Sequence, residues 1–207
     1  VSHLQPNGKW STPENLGPQI NTSGDDQCPF IHADNQTLYF TSNGWPGYGD
    51  DDLFYVRKGP GGDWSTPENL GYPINTINKE GTLFVTTDGN TAWYASDRAD
   101  SRGGWDIYHF ELRESVKPLR TLWVRGRVYD KKTEKGLPSG IELIDLSSGK
   151  PVSTLQTDEK GQYLVTLPIG KDYAFNVNRK NYLFYSDNFM LSREAPDSTY
   201  EKNIALQ

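Results

Sequence analysis

Residues 10–17 read WSTPENLG, and residues 64–71 read WSTPENLG again, 54 positions later. The match runs on without a gap. Ile20-Asn21-Thr22 recurs as Ile74-Asn75-Thr76, Phe30 as Phe84, Asp34 as Asp88, Thr37 as Thr91, Ser42 as Ser96, Gly49 as Gly103 and Asp52 as Asp106. Between residues 10–56 and 64–110, 17 of 47 aligned positions are identical, and Tyr39/Trp93, Phe40/Tyr94 and Leu53/Ile107 are conservative exchanges. Repetition at this period, with several short strands per unit, is the pattern of propeller blades rather than of one closed core.

Each unit has the same grammar. A Trp-Ser-Thr-Pro turn leads through Asn-Leu-Gly to an Ile-Asn-Thr strand end, and a short strand then ends at Asp34-Asn35-Gln36 or Asp88-Gly89-Asn90. Asp, Asn and Gly suit such turns because they tolerate left-handed backbone or bond their own main chain. Residues 38–42 (LYFTS) and 92–96 (AWYAS) read as strands, a glycine-rich connection follows, and residues 52–56 (DLFYV) and 106–110 (DIYHF) close the unit. At the same offset Val1 aligns with Tyr55, so Val1-Ser2-His3-Leu4 reads as the tail of a blade whose start is absent. Propellers close with about 4–8 blades, so the pattern predicts further blades before residue 1.

Asp34, the run TLYFTS at 37–42, the glycine-rich loop and DLFY at 52–55 resemble the periplasmic propeller repeats of TolB-like and OmpA-family proteins. The resemblance covers residues 1–110 and implies four-stranded blades around a central channel.

Composition agrees with an all-β chain. Aromatics make up 13% of residues, with 20 glycines and 13 prolines to supply turns, and aromatic side chains favour strands. The net charge of −6 hides an asymmetry: residues 1–114 carry 7 Lys/Arg against 16 Asp/Glu, and residues 115–207 carry 14 against 11. An acidic first half argues against nucleic acid as a partner. No apolar run reaches the length that spans a bilayer as a helix. Cys28 is the sole cysteine, which rules out an intrachain disulfide, and it reads as a small buried hydrophobe.

Residues 111–120 break the period and read as a linker, placing the boundary between a first domain, 1–114, and a second, 115–207. In 122–129 (LWVRGRVY), Leu122, Val124, Gly126 and Val128 share one strand face, with Trp123, Arg125, Arg127 and Tyr129 on the other. Further strands are expected at 141–146, 152–157, 162–167, 173–177, 182–185, 189–191 and 200–206, with a hairpin at 158–161. Short strands with turns about ten residues apart predict a β-sandwich. The runs VRGRVYD (124–130), Leu137-Pro138, TDEKGQY (157–163) and LPIGKDY (167–173) resemble the carboxypeptidase regulatory-like, transthyretin-like sandwich. That resemblance implies a structural or adhesive role without peptidase chemistry. Where such families have Gly-Tyr, this chain has Asn181-Tyr182, and Asn keeps the left-handed turn available.

The order of propeller and sandwich is similar to the middle of Bacteroidetes OmpA-family periplasmic proteins of the PorE-like kind, associated with type IX secretion. The resemblance implies a periplasmic, outer-membrane-associated scaffold whose partners are other cell-envelope or secretion-system proteins, with peptidoglycan reached only through a C-terminal domain beyond this sequence. It implies no cofactor.

Candidate sites follow from residue chemistry. Asp50-Asp51-Asp52, after a glycine-rich loop, carry the oxygen ligands calcium takes, but the second copy, Gly104-Trp105-Asp106, keeps only the last carboxylate, which favours a structural role. Thr86 to Thr91 has the residues of an aspartate box at the wrong spacing and reads as a β-turn. His3, His32 and His109 do not recur between units and read as structural or exposed. Trp45, Tyr48 and Trp105 lie on the glycine-rich loops, where exposed rings stack on sugars; the same rings also serve to pack between blades. No Gly-x-Ser-x-Gly elbow and no His-Glu-x-x-His motif occurs. A non-enzymatic scaffold is therefore expected, ahead of a glycan-binding module and of the accessory propeller of a hydrolase.

Overall fold

A computed structural model describes residues 1–3, 5, 8–59, 61–194 and 199–207; Leu4, read above as part of the tail of a blade, lies outside them. These residues are all-β, arranged in four sheets with no closed barrel. The chain divides into two compact units, Val1–Pro118 and Leu119–Gln207.

In the first unit, β1 (Asp26–Ile31), β2 (Thr37–Ser42), β3 (Asp52–Arg57) and β4 (Glu68–Asn69) form one antiparallel sheet in sequence order. A second sheet holds β5 (Glu80–Val85), β6 (Thr91–Ser96) and β7 (Asp106–Glu111). The sheets are out of phase with the sequence repeat, because β4 belongs to the second copy of WSTPENLG yet pairs with β3. Residues 1–3 pair with the first copy in the same way: Ser11 N–H donates to His3 and Glu14 N–H to Val1, as Ser65 N–H donates to Arg57.

Carboxylate hydrogen bonds recur with the repeat. Asp26 accepts bonds from Thr22 N–H (2.5 Å) and Ser42 Oγ (2.6 Å), and Glu80 accepts from Thr76 N–H (2.9 Å) and Ser96 Oγ (3.0 Å). β1 and β5 each carry a bulge, and its residue, Cys28 or Thr82, has left-handed backbone. Cys28 is consequently exposed rather than buried as expected: the bulge turns it out of the strand alternation, and Thr82 Oγ1 lies 3.6 Å from its sulfur.

Strand alternation gives each sheet two faces. The front of the first sheet, with Tyr39, Leu53 and Tyr55, packs in one cluster with the back of the second, with Leu83, Val85, Ala92 and Tyr94. The back of the first sheet, with Leu38, Phe40, Phe54 and Val56, is closed by Leu16, Ile20, Trp45 and Trp64. Segment 112–118, expected as a linker, belongs to this unit. Leu112 and Val116, the latter in a 3-10 turn (Glu114–Val116), are buried in the shared cluster, and Val116 carbonyl accepts a bond from Tyr39 Oη at 2.9 Å.

The second unit has β8 (Thr121–Asp130) at the centre of one sheet. It is flanked by antiparallel β11 (Gln162–Pro168) and, on its other edge, by the short parallel strands β14 (Tyr200–Glu201) and β15 (Ile204–Leu206). The other sheet runs β10 (Lys150–Gln156), β9 (Gly140–Asp145), β12 (Lys171–Asn178), β13 (Tyr185–Leu191). Both sheets contribute to one core that includes Leu122, Val124, Val128, Tyr173 and Phe175, with Trp123 and Arg125 outside as the alternation predicts.

Two expectations change here. Residues 158–161 do not make a hairpin, because β10 and β11 lie in different sheets and the turn carries the chain across the core. The expected strands at 182–185 and 189–191 are replaced by β13 alone, paired along its length with β12. Asn181 takes the left-handed backbone (φ 72°) that its place in the turn requires.

Candidate functional site

Three connections of the first unit converge beyond the strand ends: residues 43–51 after β2, 70–79 after β4 and 97–105 after β6. The first is anchored by Asp52, which is buried and accepts hydrogen bonds from Tyr48 N–H and from Asn69 Nδ2 at 3.3 Å. The equivalent Asp106 accepts from Arg102 N–H at 2.6 Å, four residues back in each case. This recurring carboxylate holds the glycine-rich loop. Gly49 lets that loop settle on its neighbour, since a Cβ there would stand 2.4 Å from the Thr76 carbonyl oxygen and 2.5 Å from that of Asn78.

The loops enclose a cleft of about 350 Å³ lined by Tyr48, Tyr72, Ile77, Arg98 and Asp100. Tyr48, Tyr72 and Ile77 are all more than half exposed. Arg98 is the fixed element. Its guanidinium meets Asp100 Oδ1 at 3.0 Å, donates to the Pro73 carbonyl (3.2 Å) and Tyr94 Oη (3.1 Å), and lies over the Tyr108 ring at 5.2 Å. Tyr108 Oη in turn donates to Asp100 at 3.3 Å. Burial pushes the Tyr94 hydroxyl up, against the pull of Arg98, so both groups keep their neutral-pH forms. The wall is thus a charged, hydrogen-bonded lattice, and the rim is apolar and aromatic. Such a surface suits stacking and contact chemistry.

The sequence-predicted residues are not gathered in one place. Tyr48 lines the cleft, Trp45 packs in the core behind the first sheet, and Trp105 lies against Gly81 while remaining half exposed. The three aspartates also separate. Asp52 is committed to its loop, Asp51 meets Asn43 Nδ2 at 3.2 Å and Lys79 Nζ at 3.8 Å, and Asp50 is exposed. Among the described residues, no group of three or more His, Cys, Asp or Glu side chains is placed to hold a metal.

The expected turn at 86–91 is present, with Thr86 N–H donating to Thr91 and Gly89 N–H to Thr86. His32 is buried; its Nε2 lies 3.1 Å from the Thr86 carbonyl and its Nδ1 accepts from Asp34 N–H. Burial opposes ionisation of Asp34, yet the N–H groups of Gln36 and Thr37 and the Thr37 hydroxyl donate to its carboxyl and hold it below the usual range. Tyr72, Ile77, Arg98 and Asp100 escaped the sequence reading because they fall at positions where the two copies differ.

The chain is an all-β protein of two compact units, the first built on a sequence repeat and carrying a cleft formed by its loops. No protein-family model matches the chain, and no curated protein matches it. Among solved structures, a streptococcal ancillary pilin is 17% identical, covering 76% of this chain and 51% of its own, at a TM-score of 0.36. The group B streptococcus pilus 2b backbone protein is 10% identical over 89% and 96%, at 0.39. The Bacillus anthracis TIE protein is 12% identical over 100% and 48%, at 0.36. The chain spans about half the length of the ancillary pilin and of the TIE protein. Likenesses of this size assign neither fold family nor function.

Proposed function

We propose that the first unit is part of a β-propeller and the second a transthyretin-like, carboxypeptidase regulatory-like sandwich, together a non-enzymatic scaffold that holds protein partners. The observation that carries the reading is a set of contacts between residues 54 apart. Phe30 meets Phe84 with ring centroids 5.3 Å apart, His32 meets the Thr86 carbonyl, and Cys28 meets Thr82. Neighbouring units that touch through equivalent residues of their first strands are related by rotation about an axis beside those strands, which is the relation of propeller blades. The loops at one end then form a rigid rim for recognition, and the cleft around Arg98 is its best-formed feature.

By the resemblance in sequence, the scaffold works at the periplasmic side of the outer membrane, with cell-envelope or secretion proteins as partners and peptidoglycan reached only through a further domain. A second reading, glycan binding, is favoured by Tyr48 and Tyr72, two exposed rings beside the Asp100 carboxylate.

The test is affinity capture from envelope extract with the chain and with its Tyr72→Ala/Arg98→Ala variant. A defined envelope protein retained by the chain and lost with the variant supports the scaffold reading. Retention of polysaccharide without protein replaces it with the glycan reading.

A further inference from the structure

The outer face of β8 carries a row of side chains that the core of the second unit does not use. Trp123, Arg125, Arg127 and Tyr129 alternate out of the sheet, and at about 3.3 Å per residue the row runs about 20 Å from one ring to the other. β8 is paired with β11 along one edge and with β14 and β15 along the other, so the row lies in the middle of a sheet and not on an open edge. Leu164 and Gln162 of β11 stand opposite Arg125 and Arg127, and Glu201 of β14 stands on the other side of Arg125. Together with the turns at Glu134 and Asp158 they line an open groove of about 1020 Å³.

Its lining has three properties that select a ligand. The rings come first: Trp123 is 50% exposed in mid-strand, and a half-bare ring offers a flat apolar face for stacking, with Tyr129 at the far end of the row. The polar side chains between them are planar forks, arginine, carboxylate and carboxamide, which can engage two neighbouring hydroxyls at once. Several are already fixed. Arg127 donates to the Lys160 carbonyl at 3.3 Å and the Glu134 carbonyl at 2.9 Å, and its guanidinium lies over the Tyr129 ring at 6.0 Å. Asp158 accepts from the N–H groups of Lys160 (2.9 Å) and Gln162 (2.7 Å), so little side-chain freedom is left there for a ligand to remove. Arg125 is exposed and its guanidinium has no partner among the described residues. The third property is charge: two arginines face three carboxylates, Glu134, Asp158 and Glu201, which gives a polyanion or an acidic peptide no complementary surface. A strand paired on both edges also offers no backbone ladder to an extended peptide. We infer that this groove binds an uncharged polysaccharide chain, with sugar rings stacked on Trp123 and Tyr129 and hydroxyls bonded by Arg125, Arg127, Gln162 and Glu201. The inference rests on the second unit by itself and is independent of how the cleft of the first unit is read.

Retardation of the chain in native gels cast with a polysaccharide tests it, with titration calorimetry to supply the affinities. The probes are soluble starch, dextran, mixed-linkage β-glucan and galactomannan as neutral chains, and alginate and polyglutamate as polyanions. Retardation by at least one neutral chain is expected, with an affinity that raised salt leaves unchanged because no ion pair is involved. Trp123→Ala is expected to weaken binding about tenfold or more, whereas Trp123→Tyr, which keeps a ring, loses far less. Arg125→Ala weakens it severalfold. Both positions are exposed and outside the core, so the variants should unfold at the parent's temperature, and a loss of binding then belongs to the groove. No retardation by any of the neutral chains overturns the inference, as does a preference for alginate or polyglutamate. Binding that survives Trp123→Ala undiminished, or that is lost with Tyr72→Ala/Arg98→Ala instead, overturns the groove as its place. Polysaccharide retained equally by the parent and by that cleft variant supports the groove and leaves the reading of the cleft untouched.

Discussion

Tyr39 and Trp93 are the same position of the repeat, and the structure gives them opposite energetic weight. Tyr39 is fully buried, and its hydroxyl donates to the Val116 carbonyl at 2.9 Å. Removing a fully buried aromatic ring costs about 3–5 kcal/mol. Removing the hydroxyl alone leaves that carbonyl without its buried donor, at about 1–2 kcal/mol. Tyr39→Ala is therefore expected to destabilise the first unit by about 3–5 kcal/mol, and Tyr39→Phe by about 1–2 kcal/mol. Trp93 is 44% exposed and touches His109 (ring centroids 4.9 Å apart) rather than a closed core. Trp93→Ala removes only part of a ring's burial and is expected to cost about 1 kcal/mol. Urea unfolding followed by tryptophan fluorescence measures all three, because five of the six tryptophans lie in the first unit. The protein concentration is kept low enough to exclude association. Equal losses for Tyr39→Ala and Trp93→Ala would refute the packing of the first sheet's front against the second sheet's back. A neutral Tyr39→Phe would refute the bond to Val116.

Three further outcomes are expected. Burial of Asp145 works against its ionisation, but Lys171 at 2.7 Å and the Ser147 donors outweigh it, and its pKa falls to about 2 from 3.8. The folded value lies below the unfolded one, so the ion pair stabilises fully above the unfolded value and is lost as pH falls through the window from there to about 2. Partial exposure of Lys171 limits its worth to about 1–2 kcal/mol, and acid unfolding of Lys171→Met should lack that component. Gly161→Ala places a Cβ 2.1 Å from the Val128 carbonyl oxygen at φ 75°, and is expected to cost at least about 2 kcal/mol in thermal unfolding. Gly149→Ala, with positive φ but open space around it, is expected to cost about 1 kcal/mol by the same measurement. Cys28 should react stoichiometrically with a thiol reagent in the folded protein, as its exposure requires; protection against labelling in the native state would contradict the outward bulge.

Much of the fold was legible because it depends on short-range rules. The 54-residue repeat located every strand of the first unit except β4, since an identical sequence in an identical setting forms the same turns and bulges. Alternation in 122–129 placed Leu122, Val124 and Val128 on one strand face before any partner strand was known, and the structure turns that face to the core. The Asn181 turn was legible for the same reason, as left-handed backbone is a local preference. Strand pairing was not. Residues 150–156 and 162–168 read as a hairpin because they are adjacent in the chain, yet they sit in different sheets; alternation states which side of a strand is apolar and says nothing about which strand lies beside it. The cleft was half legible. Tyr48 was visible as a loop aromatic, but Arg98 and Asp100 matter only because three loops meet there.

The amino-acid sequence by itself determined that the chain is all-β, that its first part is built twice from one unit, and which side of most strands is apolar. These are consequences of backbone preference and of alternation within about ten residues. Tertiary structure alone decided that Tyr39 is core and Trp93 is surface, that Asp50, Asp51 and Asp52 part company, and that segment 112–118 belongs to the first unit. Identical repeat positions acquire different roles because burial depends on what stands opposite a face, and the front of the first sheet has the back of the second opposite it.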